Sequence, residues 1–270
     1  DGNGQDDFVK ILAGVQEANG GTIEVLDINE NFTKYNSLDD AKKNGISFVS
    51  GDRKKEGILP NLSIYENLVV PLYKKTSRGG FLGFVDWLEL NGIFDWEVDR
   101  LSIKTGPRDN LIGSLSGGNQ QKVMIARSFA QHPKILILND PARGIDVSTK
   151  RDLYVHLRKY VEEGNTVIFL SSELEEFIGL CPKVMVFRNG TVFDIFENEN
   201  VNADTLLEGM FGQTAGIGET KIYSKSNIPS EVTANRKVIN KTPEKKIVKI
   251  KDFDKENDKE NKTKIKIKTF

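Results

Sequence analysis

The stretch Leu115–Arg127 reads LSGGNQQKVMIAR. A serine followed by two glycines opens a predicted helix, and its first turn leaves backbone N–H groups without partners, the arrangement that attracts an anion. Val123, Ile125 and Ala126 supply an apolar side, while Asn119, Gln120, Gln121 and Lys122 keep the first turn polar. A glycine cap on an ordinary amphipathic helix accounts for Ser-Gly-Gly taken alone. The surrounding chain must decide.

Downstream, Ile135–Leu138 is a continuous apolar run, the mark of a strand buried in a parallel sheet, and it ends in NDPARGID at Asn139–Asp146. Leu153, Val155, Leu157 and Val161 lie along a predicted helix over 149–163, stopped by Gly164. Thr166–Leu170 reads as another buried strand and leads into SSELEE. Val184–Phe187 and Thr191–Phe196 form a hairpin across Asn189-Gly190, and Ala203–Phe211 a closing helix. Upstream, Thr22–Leu26 and Ile46–Val49 read as strands flanking a short helix over 37–44. From Pro60 to Gly113 a helical insert carries Trp87, Leu88, Leu90, Phe94, Trp96 and Val98, read as core packing, with Gly79, Gly80 and Gly83 marking a loop. Strands alternating with helices give an α/β fold with a parallel sheet.

Composition narrows the functional classes. The 270 residues carry a net charge of −1, yet from Gln213 onward fifteen Lys or Arg face eight Asp or Glu, so the body is acidic and nucleic acid is not its expected partner. The single cysteine, Cys181, allows no internal disulfide and fits a reducing compartment. No apolar run reaches the roughly 18–20 residues of a membrane span. The segment 213–270 is rich in Lys and Asn and reads as a disordered basic tail, in which KIKIK is either an edge strand or an accident of composition. His132 and His156 read as structural or surface residues at helix positions.

Together these motifs resemble the ABC transporter ATPases, and the NQQK ending is similar to the sugar and nucleoside importers of that family. The resemblance covers residues 1–212 and implies a P-loop NTPase fold of the ABC type, with a helical subdomain over about 60–131 bearing the groove for a membrane subunit. It implies ATP and Mg²⁺ as cofactors. Gly2, Asn3, Gly4, Gln5 and Asp6 fall on the phosphate loop, while Leu115, Ser116, Gly117, Gly118 and Gln120 form the signature and Asp146 belongs to the D-loop. Asn139, Asp140 and Ser172 take the catalytic positions. No residue is assigned as a direct metal ligand. The chain opens inside the phosphate loop, so it reads as the second ATPase domain of a two-domain protein, truncated ahead of its first strands.

The departures from the family pattern fall on one side of the machinery. Where a working phosphate loop has lysine and then serine or threonine, this chain has Gln5, Asp6 and Asp7. At about 4 Å and an effective dielectric near 20, one carboxylate opposes a unit of phosphate charge by roughly 4 kcal/mol, against about 8 kcal/mol for a whole micromolar site. Gly51 replaces the Q-loop glutamine, Asn139 the metal-holding aspartate, Asp140 the catalytic glutamate and Ser172 the switch histidine. Asp52, Arg53, Lys54 and Lys55 are either turn charges or a subunit contact.

The expectation is an ATP-binding component of a sugar import system, which lends its signature to a partner ATPase domain, normally the first domain of the same protein, while its own site is degenerate. The implied partners are that domain, transmembrane permease subunits and, indirectly, a periplasmic or lipoprotein sugar-binding protein, with the chain peripheral on the cytoplasmic face of the cell membrane. A non-hydrolytic regulatory ATP-binding module and a soluble ABC protein acting on ribosomes or DNA are the alternatives.

Overall fold

The computed structural model describes residues 2–26, 32–73, 77–78, 84–211 and 264–268. In chain order the elements are α1 (Gln5–Leu12), β1 (Thr22–Leu26), β2 (Phe32–Lys34), α2 (Leu38–Lys43), β3 (Ile46–Val49), α3 (Ile64–Val69), β4 (Ser77–Arg78), β5 (Phe84–Val85) and α4 (Trp87–Arg100). Then follow α5 (Gly117–Phe129), β6 (Ile135–Asn139), α6 (Val147–Glu162), β7 (Thr166–Leu170), β8 (Lys183–Arg188), β9 (Thr191–Glu197), α7 (Ala203–Phe211) and β10 (Lys264–Lys268). The chain divides into two compact units, Asp1–Gln5 with Glu173–Lys249, and Asp6–Ser172 with Ile250–Phe270, the division falling in the first turn of α1.

In the larger unit a parallel sheet runs in the order β3-β6-β7. Every residue of β6 is buried, and alternate side chains feed two cores. Leu136 and Leu138 join α3, α4, α5 and α6 through Ile64, Leu68, Leu90, Ile125, Phe129 and Leu153. Ile135 and Ile137 join Val9 and Leu12 of α1, Ile23 and Val25 of β1, and Tyr35. The helical insert therefore shares one apolar core with the sheet. A second sheet, antiparallel, has the order β10-β1-β2.

Local chemistry sets the element ends. Ser63 and Glu66 form a reciprocal capping box at α3, with Ser63 Oγ accepting from Glu66 N–H at 3.1 Å and Glu66 Oε2 from Ser63 N–H at 2.8 Å. Asn67, 1 % exposed, ties the preceding loop by accepting from Leu59 N–H and donating to Leu59 and Ser63 carbonyls. In the smaller unit Asn189 and Gly190 turn β8 into β9 with φ of 52° and 75°, the doubly left-handed turn that Asn-Gly favours.

Several sequence expectations need correction. Trp87, Leu88 and Trp96 are exposed, not core; only Leu90 and Phe94 of that set reach the interior, with Val98 packed at its margin. On α6, Leu153 and Leu157 are buried but Val155 and Val161 face solvent. Thr166–Leu170 is half-buried because β7 is the outer strand of its sheet. His132 lies beyond α5 at φ 51°, in a turn, and Gln121 of the signature helix is buried. Gly79, Gly80, Gly83 and most of the 213–270 tail lie outside the described residues; within it Lys264–Lys268 is a strand, the edge-strand alternative for KIKIK.

A buried charge stands inside the helical insert. Glu97 of α4 is 1 % exposed, Arg100 Nη1 reaches its Oε1 at 3.3 Å, and its Oε2 has no partner. Burial outweighs the guanidinium and pushes the carboxyl up to about 7. Because the folded state holds this proton more tightly than the unfolded chain, the group's contribution to stability is complete below about pH 4.5 and is lost as pH rises through about 7. Glu97→Gln should remove that dependence, leaving the variant more stable than the parent by about 1–2 kcal/mol at pH 8 and not at pH 4.5, as read by urea unfolding at the two pH values.

Candidate functional site

In the larger unit, the carboxyl end of β6 meets the first turn of α1. Asn139, 8 % exposed, donates from Nδ2 to Asp6 Oδ1 at 2.6 Å, and Lys10 Nζ stands 2.7 Å from Asp6 Oδ2, one helical turn on. Burial raises the Asp6 pKa, but the hydrogen bonds from Lys10 and Asn139 and the charge of Lys10 together hold the carboxyl below its ordinary value. The hydrogen bond to Asp6 in turn raises Lys10. Gly51 closes in from the end of β3, where a Cβ would stand 3.0 Å from the Asn139 carbonyl oxygen. Asp140 follows at φ 47°; its N–H donates to Leu170 O at 2.7 Å and its Oδ2 accepts from Ser172 Oγ at 3.1 Å. Thus Asp6, Gly51, Asn139, Asp140 and Ser172 gather at one sheet edge.

Gly2–Gln5 belong to the smaller unit. Gly2 and Gly4 take φ of 81° and 93°, Asn3 N–H donates to Gln5 Oε1 at 3.1 Å, and Asn3 Oδ1 accepts from Asn189 N–H at 3.1 Å. The loop is seated on the β8–β9 turn, where a Cβ on Gly4 would lie 3.3 Å from Gly190 Cα.

A second gathering is the N-terminus of α5. Ser116 caps it, its Oγ accepting from Asn119 N–H and Nδ2, while Gln120 Nε2 donates to Leu115 O at 3.0 Å. The N–H groups of Gly117 and Gly118 precede the first intrahelical bond. Around them stand two charges: Arg53 Nη2 is 3.0 Å from the place of a Cβ on Gly117, and Asp146 Oδ2 is 3.8 Å from that of Gly118. Asp146 caps α6, and hydrogen bonds from Ser148 and then from the Thr149 backbone and hydroxyl hold its carboxyl far below the usual range. Arg53 Nε is buried without a partner.

A model of the ABC transporter family matches residues 1–143. The ribose import ATP-binding protein RbsA of Bacillus cereus is 37% identical over 207 residues, 76% of this chain and 40% of that protein. RbsA of Roseobacter denitrificans is 33% identical over 211 residues, 78% of this chain and 40% of its own length. The chain belongs to the ABC transporter family. It spans about 40% of the length of these relatives. Among solved structures, the dimeric MJ0796, a bacterial ABC transporter cassette, aligns with a TM-score of 0.62 at 23% identity, covering 73% of this chain and 82% of that one. The fold is therefore the α/β P-loop fold of ABC ATPases.

Within this ABC cassette the sequence misses three site residues. Arg53 opens a π-helical turn, Arg53–Gly57, that lies along α5. Arg127 of α5 donates to Gly57 O, Gly57 is packed against Met124, and Ser50 Oγ donates to Glu56 Oε2 at 2.5 Å. Burial pushes the Arg127 pKa down. The run Asp52-Arg53-Lys54-Lys55 gives no hint of which cation turns inward. Lys10, by contrast, was findable from its i,i+4 spacing to Asp6. The helical insert also holds a cleft of about 550 Å³ lined by Ser63, Tyr65, Glu66, Tyr73, Trp87, Asn91, Arg108 and Asp109. Tyr73 and Trp87 meet edge to face at 6.0 Å, and Arg108 lies 5.0 Å over the Tyr65 ring while donating to Asn91 Oδ1 at 3.0 Å.

The Asp6–Asn139 contact gives a swap test. Asn139→Asp alone sets two carboxylates against each other and should lower the unfolding free energy by about 1–2 kcal/mol, allowing for the half-exposed Asp6 side chain. Adding Asp6→Asn restores one acid and one amide, and should recover most of the loss in urea unfolding at pH 7.

Proposed function

We propose that this chain is an ATP-binding component of a sugar ABC importer that presents its signature helix to the nucleotide held by a partner ATPase domain, while its own nucleotide site does not turn over. The observation that carries the reading is the contrast between two helix N-termini. At α1 the first turn carries the Asp6 carboxylate, tied to Asn139 and Lys10. A magnesium nucleotide does not fit there: its phosphates would meet a carboxylate where a lysine is needed, and its metal would meet an amide. At α5 the Gly117 and Gly118 N–H groups and the Arg53 guanidinium are arranged to receive an anion.

The dimeric form of the solved cassette supports the partner, and the names of the relatives support ribose-type sugar import. The nucleotide supplies the phosphoanhydride bond; this chain orients the phosphate across the interface through Ser116, Gly117, Gly118 and Gln120, with Asp146 fixing the neighbouring turn. Asp140, Asn139 and Ser172 remain as the vestige of a catalytic end. The cleft beside α3 and α4, with its exposed indole and unpartnered Tyr65 hydroxyl, is the seat for a helix of the transmembrane permease. Among the described residues no helix is long and apolar enough to cross a membrane; on this reading the permease holds the chain at the cytoplasmic face.

A reconstituted transporter containing the partner domain tests this. Gly117→Asp places a carboxylate beside Arg53, in the anion's place, and should cut transport-coupled ATPase about 100 to 1000-fold. Asp140→Asn should cost less than about fivefold, because the end it occupies already lacks its metal-holding acid. Equal damage from the two would assign turnover to this chain's own site. The isolated chain should release phosphate at background rate, with no change on Asp140→Ala.

A further inference from the structure

β1 is paired along its whole length by β10, while β2 covers only part of it. The ladder runs antiparallel, Thr22 opposite Lys268, Ile23 opposite Ile267, Glu24 opposite Lys266, Val25 opposite Ile265 and Leu26 opposite Lys264; β2 pairs with Glu24, Val25 and Leu26 alone. β1 does not depend on β10 for its place. Ile23 and Val25 are anchored in the core with Leu12, Tyr35 and Ile46. Its outer edge is a row of backbone donors and acceptors that water or another strand must satisfy.

The residue types specify this register. Isoleucine stands opposite Ile23 and Val25, and lysine opposite Glu24. A slip by one residue would set lysine opposite each of the two apolar core residues, which the period-two pattern of both strands disfavours. Residues 212–263 lie between α7 and β10 along the chain. The ladder itself is indifferent to which molecule supplies the segment. A second copy offers the same five residues in the same register, the condition for strand exchange.

We propose that the β1 edge is a strand-acceptor site whose resident occupant is this chain's own Lys264–Lys268, and that the same segment of a second copy fills it when the resident strand is displaced. The interaction is backbone augmentation by an extended segment of alternating lysine and isoleucine, and it is separate from the signature and from the cleft beside α4.

The test uses the full chain and a fluorescent peptide of residues 262–270. In the full-length double variant Lys266→Pro and Ile267→Pro, two adjacent prolines remove a ladder N–H whichever parity faces β1. Amides of Thr22–Leu26 should exchange with deuterium at least about tenfold faster than in the parent, while those of Ile135–Asn139 stay unchanged as a control for folding. The variant should bind the peptide saturably, regain slow exchange in β1 when saturated, and form a 1:1 complex with the parent chain by light scattering at high concentration. The parent, with its edge filled, should bind the peptide at least about tenfold more weakly. A peptide carrying Lys266→Glu, which sets like charges opposite Glu24, should also bind at least about tenfold more weakly. The proposal is overturned if β1 exchange is the same in variant and parent, if both bind the peptide equally or neither binds it, or if the glutamate peptide binds as well as the original. None of these readouts involves nucleotide, so the assignment of the signature can fail without touching this one.

Discussion

Burial of β6 on both faces is the constraint from which the larger unit is built. Ile135, Leu136, Ile137 and Leu138 are fully buried, and because a strand alternates its side chains, they must satisfy two apolar layers at once. One layer recruits α3, α4, α5 and α6; the other recruits α1 and β1. Removing either would expose half the strand, so α5 and α1 are tied to the same four residues from opposite sides. A truncation such as Leu136→Ala would cost about 2–5 kcal/mol and loosen both. The strand then ends in Asn139 and Asp140, which its rigidity delivers to a fixed point. Asp140 takes a left-handed backbone there, held by its N–H to Leu170 O. Aspartate tolerates that region better than most residues.

Two helices begin near those layers, and electrostatics treats their N-termini differently. Each carries about half a positive charge. The α1 end is neutralised from within, since Asp6 sits in its first turn and is itself met by Lys10 and Asn139. The α5 end has no acidic residue in its first turn and has a guanidinium beside its first glycine. A cation next to a helix N-terminus is unfavourable unless something negative joins it, and the Asp146 carboxylate beside Gly118 offsets part of that charge. This difference in unsatisfied positive potential, not the mere presence of glycines, is what separates an anion site from a cap on the proposed reading.

Legibility in the sequence followed the range of the forces. Elements fixed by local chemistry were readable: the Asn189-Gly190 turn, the start of α5 at Ser116-Gly117-Gly118 and the β6 run each depend on a few adjacent residues. The family resemblance carried the positions of Gly51, Asn139, Asp140 and Ser172, and those residues do stand together. Exposure of Trp87, Leu88 and Trp96 was not readable, because an aromatic at helical spacing fits a core and a binding face equally well. Arg53 and Arg127 were hidden for a different reason. Which cation of a charged run turns inward depends on the path of a π-helical turn against a helix some seventy residues away in sequence, and no local preference encodes that path. The pairing of β10 with β1 is likewise long-range, and composition pulled the expectation toward disorder.

The π-helical turn then gives the two gatherings a physical connection. It begins two residues after Gly51, which lies against Asn139, and it runs along α5 with Arg53 at Gly117, Gly57 at Met124 and Arg127 clasping the Gly57 carbonyl. Ser50 and Glu56 close the turn on itself at 2.5 Å. Glu56 also contributes to the field that raises the pKa of Lys10, the partner of Asp6. A side chain larger than glycine at position 51 would press on the Asn139 carbonyl and shift the start of this turn, and the shift would be felt at the signature through Arg53. A glycine at the end of β3 can therefore set the orientation of α5, because steric contact carries its position along the π-helical turn to Arg53.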